Sequence, residues 1–112
     1  MRYAVPVTDG KLAAHFGHCQ QFVLIDTDRE KGIVLRKEFV NPPAHEPGVL
    51  PAWLAEQGVS VVIAGGMGSR AQSIFGENHI EVIIGVSEED PEKAVLNCIA
   101  GTLASGDNLC DH

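Results

Sequence analysis

The sequence has few cysteines, few cations and no long apolar segment, and each shortage argues against a class of protein. Its three cysteines, Cys19, Cys98 and Cys110, form no CxxC pair, which argues against a disulfide scaffold and a four-cysteine zinc site. Eight lysines and arginines against fifteen carboxylates give a net charge of −7, which disfavours general nucleic-acid binding. No run approaches the roughly 18 apolar residues that a membrane span needs. We therefore expect no nucleic-acid partner and no membrane association.

The remaining composition is that of one ordinary globular domain. The 112 residues are enough for a single core, and 45% of them are hydrophobic. The first residues enter a strand-like pattern and lack the apolar core of a signal peptide, so we expect a cytoplasmic protein. We assign residues 1–112 to one domain, with residues 105–112 as a mobile tail.

The most informative stretch is VSVVIAGGMGSRAQSIF, residues 59–75. Its β-branched apolar run predicts a strand buried on both faces. Three glycines then form a turn in which φ > 0 carries no penalty: Gly65, Gly66 and Gly68. We expect Ser69 to cap the helix that Arg70 begins. Such a turn places unpaired N–H groups at the carboxyl end of a strand, where α/β sheets bind ligands, although a tight connection without a ligand has the same pattern.

The rest of the chain predicts a mixed α/β fold. Strands are expected at residues 2–7, 21–26, 33–40 and 80–86, and the first three should form an antiparallel meander with a turn at residues 8–11. Helices are expected at residues 49–57 and 91–103, the second of them capped by Asp90. With the central strand and its helix, the order is β-β-β-α-β-α-β-α. This order predicts a mixed five-stranded sheet with helices on its faces. The first and central strands should be neighbours, so that their loops meet at one edge.

Possible metal ligands concentrate in the loop HFGHC, residues 15–19. They are His15, His18 and Cys19. His45, in a proline-rich segment, could supply a fourth group. Imidazole and thiolate suit iron, zinc, copper or a metal–sulfur cluster, but the histidines could equally cap backbone groups and the cysteine could be a small buried hydrophobe. Met67 has two interpretations as well, because its thioether could lie over a soft ligand or fill the core.

Sequence signals of catalysis are weak. The GxSxG elbow and the Walker A loop are both absent. Asp9, Asp26 and Asp28 fall near strand ends and leave open a metal-dependent nuclease or phosphatase, although turn chemistry explains the last two better. A further alternative is a regulatory domain whose edge strand, residues 33–40, pairs with another chain.

Two segments carry a resemblance to a known family. HFGHCQQFVLID and NPPAHEPGVLPAWLAEQGVSVVIAGGMGSRAQSIF resemble the dinitrogenase iron–molybdenum cofactor biosynthesis family of small NifX/NafY-like domains. HFG and AGGxGxRA are the specific parts of the match, and the likeness covers nearly the whole chain. The resemblance implies a ribonuclease-H-like, three-layer α/β sandwich.

The resemblance also implies a function, which is non-catalytic binding or carriage of an iron–molybdenum or related metal–sulfur cluster or its precursor. The expected metal ligands are His15, His18, Cys19 and His45. The expected cofactor-binding residues are Gly65, Gly66, Met67, Gly68, Ser69 and Arg70. Arg70 and the backbone N–H groups would offset the negative charge of the cluster. We expect cluster-donor or acceptor proteins as partners, no catalytic residues, and a monomer or weak dimer.

Overall fold

The computed structural model describes residues 1–13, 16, 20–28, 30–43 and 49–101. Within these ranges the chain forms six strands and three α-helices. The strands are β1 (Arg2–Thr8), β2 (Lys11–Leu12), β3 (Gln21–Asp28), β4 (Ile33–Val40), β5 (Val61–Ile63) and β6 (Glu81–Ile83). The helices are α1 (Val49–Glu56), α2 (Ser69–Glu77) and α3 (Pro91–Ala100). The predicted tail at residues 105–112 lies outside the described residues. None of the described helices is long and apolar enough to cross a membrane.

The described strands form one mixed sheet with β1 at its middle. Its order is β4-β3-β1-β5-β6, and β2 adds to β1 outside this path. β1, β3 and β4 pair antiparallel, as the predicted meander requires, whereas β5 is parallel to both β1 and β6. The prediction that the first and central strands are neighbours is therefore confirmed.

The predicted count of five strands is wrong because the turn after β1 continues into β2. Asp9 and Gly10 have φ values of 54° and 79°, so both residues of the turn are left-handed. That is the geometry of a type I′ turn, for which Asp-Gly is a preferred sequence. The turn places Leu12 opposite Val7. We predicted the turn but missed the strand, since two residues are too few to show alternation.

β1 pairs with β3 along one of its edges and with two short strands, β5 and β2, along the other. Tyr3 and Ala4 pair with β5, and Val7 pairs with β2. Pro6 lies in the gap between these partners, so its missing N–H interrupts no ladder bond there. Its carbonyl accepts a hydrogen bond from the N–H of Ala13 at 2.8 Å. β2 and Ala13 therefore occupy the edge of β1 beyond the end of its pairing with β5.

Alternating residues of the central strands fill a core on each face of the sheet. One core joins the sheet to α1 and α2, and its members include Ala4, Phe22, Leu24, Leu54, Val62 and Phe75. The other joins the sheet to α3, and its members include Tyr3, Val5, Val23, Ile25, Ile63, Ala94 and Val95. Helices thus cover both faces, as predicted. The ribonuclease-H-like assignment stays a prediction.

The termini of α3 follow from its sequence. Asp90 accepts hydrogen bonds from the N–H groups of Glu92 and Lys93 at 3.0 and 3.3 Å, which is the predicted cap. The helix ends at Ala100, earlier than predicted, because Gly101 adopts the left-handed conformation with φ of 76°.

Candidate functional site

Beyond the carboxyl ends of β1 and β5, the chain leaves these two neighbouring strands toward opposite sides of the sheet. We call the edge of the sheet at these two carboxyl ends the rim. The chain after β1 returns through β3 on one side, whereas the chain after β5 passes through α2 to β6 on the other side. Such a reversal of direction between neighbouring strands opens a crevice in which α/β proteins bind ligands. The glycine turn, residues 65–68, lies at the rim directly after β5.

Phe16 joins the histidine loop, residues 15–19, to the glycine turn. Its N–H donates a hydrogen bond to the carbonyl oxygen of Gly66 at 2.8 Å. Its ring is only 6% exposed and packs against Phe22 and Phe75, with ring centroids 5.6 and 5.3 Å away. The predicted meeting of the two loops at one edge is therefore confirmed at Phe16. We did not predict that Phe16 connects these two segments. An aromatic residue flanked by ligand-type and small residues was a local feature that could have indicated it.

The predicted metal ligands themselves lie outside the described residues. They are His15, His18, Cys19 and His45. Their role stays a prediction. Among the residues that the structure does describe, no group of three or more His, Cys, Asp or Glu side chains could hold a metal ion.

Hydrogen bonds fix the backbone of the glycine turn. The carbonyl oxygen of Gly65 accepts from the N–H of Gly85 at 2.7 Å, and Gln72 Nε2 donates to the carbonyl oxygen of Met67 at 2.9 Å. The left-handed backbone that we allowed for is not used here, since the glycines of this turn all lack a positive φ. It occurs at Gly85 instead, with φ of 72°. We did not predict the supporting roles of Gly85 and Gln72.

Met67 lies in the core on the side of α1 and α2. It is 1% exposed and belongs to the same hydrophobic cluster as Phe16 and Phe75. The structure therefore places Met67 as the core-filling interpretation expects. A contact between its thioether and a ligand stays a prediction.

The N-terminus of α2 begins at the glycine turn without a side-chain cap. The prediction that Ser69 caps this helix is wrong: the N-cap is Gly68, with φ of −63° and ψ of 150°. Ser69 is already the first helical residue, and its carbonyl oxygen accepts from Ser73 Oγ at 3.2 Å. The first turn of this fully described helix also contains no acidic residue. Its first N–H groups are therefore available to an anion.

Arg70 adds a positive charge to this helix end. Its side chain is exposed, and no described residue forms an ion pair with it. A cation beside uncapped N–H groups attracts an anionic ligand more strongly than either feature alone. The rim thus combines Phe16 with an electropositive helix end.

Of the three carboxylates of the enzyme alternative, Asp9 lies apart from Asp26 and Asp28. Asp9 follows the carboxyl end of β1, whereas Asp26 pairs with Arg2 at the other end, about 20 Å away at the usual rise of a strand. Asp26 accepts from the guanidinium of Arg2 at 2.7 and 3.2 Å, and this hydrogen bonding lowers the pKa of its carboxyl group. Asp28 accepts from the N–H of Lys31 at 3.2 Å, in a turn. Two-metal sites hold their metal ions about 3.5–4 Å apart, so Asp9 and Asp26 cannot belong to one such site.

Comparison with known proteins identifies the family. Residues 1–101 match the family described as dinitrogenase iron-molybdenum cofactor. The chain is 32% identical to the uncharacterized protein MJ0580 of Methanocaldococcus jannaschii over 87 residues, which are 73% of this chain and 72% of that protein. The crystal structure of PH0822 has a TM-score of 0.84 and 30% identity, with 94% of each chain covered. The apo form of the orange protein from Desulfovibrio gigas shares the fold, with a TM-score of 0.75, 22% identity, and coverage of 96% of this chain and 93% of that one. This chain therefore belongs to the dinitrogenase iron–molybdenum cofactor family.

Proposed function

We propose that this chain binds and carries an iron–molybdenum or related metal–sulfur cluster, or its precursor, at the rim, without catalysing a reaction. The observation that carries the proposal is the hydrogen bond from the Phe16 N–H to the Gly66 carbonyl oxygen. It joins a loop rich in ligand-type residues to a helix end suited to anions. Membership of the family, with its link to iron–molybdenum cofactor biosynthesis, supports the same function.

Each part of the rim has a chemical role in this proposal. His15, His18 and Cys19 supply imidazole and thiolate groups, which suit the soft metals of such clusters. His45 is a candidate for a further ligand. The uncapped N–H groups of α2 and the guanidinium of Arg70 compensate the negative charge that a metal–sulfur cluster carries. A few protein ligands and a charged helix end hold a cluster less permanently than a closed set of four ligands, which suits a carrier.

A carrier requires a protein that donates the cluster and one that accepts it, so we infer such partners here. Thiolate ligands must also stay reduced, which is the usual condition of the cytoplasm. We therefore place this function in the cytoplasm. The assignment as a carrier and not an enzyme is supported by the separation of Asp9 from Asp26 along β1.

Anaerobic reconstitution tests the proposal. The purified chain is incubated with iron, sulfide and molybdate, desalted, and analysed for metal-to-protein ratio and visible absorption. We expect the wild-type chain to retain cluster. His18→Ala and Cys19→Ala should each retain less by about tenfold, because each removes one of few ligands.

Matched variants distinguish ligand loss from general damage. Cys98→Ala removes a half-buried thiol on α3, and His79→Asn removes an exposed imidazole after α2 while tolerating its φ of 60°. Both should retain cluster like the wild type. If His18→Ala and Cys19→Ala also retain as much cluster as the wild type, the assigned ligands are wrong.

A further inference from the structure

β4 is an outer strand of the described sheet and exposes an unusual amount of apolar surface. Three of the four large hydrophobic residues that the described chain exposes lie on it: Ile33, Leu35 and Phe39, at 44%, 63% and 47%. No described strand pairs with its outer edge, which leaves a row of main-chain N–H and C=O groups unpaired. Exposed apolar side chains concentrated along one edge mark an interaction surface.

We propose that β4 pairs antiparallel with β4 of a second copy of this chain, about a twofold axis that passes through Lys37. The two sheets then continue into one. The inference does not depend on the proposed cluster binding, since β3 and β1 separate β4 from the rim at β5.

The geometry of an antiparallel pair restricts the possible registers. The N–H and C=O groups of successive residues point to opposite edges of a strand. Two residues that lie opposite each other in an antiparallel pair must therefore both direct these groups toward the partner strand or both direct them away from it. In a twofold pair of identical strands, the axis therefore passes through a residue and not between two residues. For an overlap over most of β4, the residue on the axis is Arg36, Lys37 or Glu38.

Only the register centred on Lys37 is complementary. It places Arg36 of each copy opposite Glu38 of the other, which gives two opposite-charge pairs. It also brings Leu35 level with Phe39 of the other copy, apolar with apolar. A register centred on Arg36 or on Glu38 places that residue opposite its own copy in the other chain. The other two charged residues of the strand then lie opposite apolar residues. Cross-strand pairs of opposite charge and of apolar residues stabilise a sheet, and like charges destabilise it.

The lysine on the axis has neighbouring carboxylates to offset its repulsion. Lys37 and Phe39 line an open cleft of about 420 Å³ between β4 and the start of α3. Glu88 and Glu89 line the same cleft, and Lys11 lies 3.7 Å from a carboxylate oxygen of Glu89. The long side chain of Lys37 can therefore direct its ammonium group away from the axis toward these acids.

A bulge limits which strands can pair with this edge. Arg36 is opposite Asp26 and Val34 is opposite Thr27, so Leu35 has no partner on β3. Bulges and charged residues on an edge strand prevent indiscriminate pairing. On β4, the bulge and the charges leave residues 36–38 as a short regular segment for pairing. A short segment favours one register of a dimer over the growth of larger assemblies.

Sedimentation velocity over a roughly thousandfold range of concentration tests the inference. We expect the wild-type chain to reach twice its 12.0 kDa mass as the concentration rises. Arg36→Glu makes both cross-pairs repulsive and should weaken dimerisation by about tenfold or more. The charge swap Arg36→Glu with Glu38→Arg restores both pairs in the Lys37-centred register and should restore the dimer.

Arg70→Glu is the matched control, since it makes the same change of charge at the rim, away from β4. It should dimerise like the wild type. A wild-type chain that stays at 12.0 kDa throughout, or forms larger assemblies, overturns the inference. So does an Arg36→Glu chain that dimerises like the wild type, and a charge swap that stays monomeric overturns the register.

Discussion

Replacing Phe16 by alanine is expected to lower the free energy of unfolding by about 3–5 kcal/mol, the usual cost of deleting a buried aromatic ring. The ring is 6% exposed and contacts Phe22 and Phe75, so its removal leaves a cavity between the sheet and α2. The variant also loses the ring contacts that hold residue 16 in the core, and only its backbone hydrogen bond to Gly66 is left to hold it at the rim. Chemical denaturation of the wild type and the variant measures the effect.

Two other phenylalanines separate the contributions of Phe16 to stability and to binding. Phe39→Ala makes the same change on a half-exposed ring of β4 and should cost less than about 1 kcal/mol. Phe22→Ala removes a buried ring of the same core and should destabilise comparably, yet it leaves the Phe16 ring itself in place. Of the two destabilised variants, Phe16→Ala should retain less cluster under conditions where both are folded. A cost below about 1 kcal/mol for Phe16→Ala would show that the loop is not anchored as described.

The sequence predicts the layers of this fold well because burial and chain reversal leave strong local signals. The β-branched run at Val61–Ile63 becomes the parallel strand β5, and the cap at Asp90 begins α3. Alternating apolar residues at Ile33–Val40 become β4 with the predicted bounds. These features depend on neighbouring residues alone, which is why a single sequence contains them.

Features that depend on distant contacts are harder to predict. β2 is two residues long, and its pairing depends on room that β5 leaves along β1. By residue type, Ser69 is an acceptable N-cap. The helix α2 nevertheless begins at Ser69 itself, one residue earlier than predicted, and Gln72 Nε2 donates a hydrogen bond to the Met67 carbonyl oxygen just before it. The contact of Phe16 with Gly66 joins residues fifty positions apart, so no local pattern could show it.

Replacing Gly68 by aspartate is expected to reduce cluster retention by about tenfold or more without loss of stability. The backbone of Gly68 has φ of −63°, and a Cβ atom there meets no other atom within 4 Å, so a side chain is tolerated. An aspartate at this N-cap would accept hydrogen bonds from the N–H groups of the first turn of α2. It would also place a negative charge where we expect an anionic cluster. Reconstitution and thermal unfolding together measure both effects.

Two neutral substitutions at the same position isolate the charge. Gly68→Asn supplies a similar cap without a carboxylate, and Gly68→Ala supplies neither. We expect cluster retention to fall in the order alanine, asparagine, aspartate, with the alanine variant close to wild type. Equal retention by Gly68→Asp and the wild type would exclude the helix end from the site.

Cluster binding at the rim requires that the histidine loop and the glycine turn form one shared site, and NMR tests this requirement most directly. Backbone amide spectra of the wild-type chain are recorded before and after anaerobic reconstitution with iron, sulfide and molybdate. We expect the amide signals of Phe16, Gly66 and Arg70 to shift or broaden together, while those of Lys31 and Glu77 do not change. Changes confined to one of the two segments, or found only elsewhere, would contradict it.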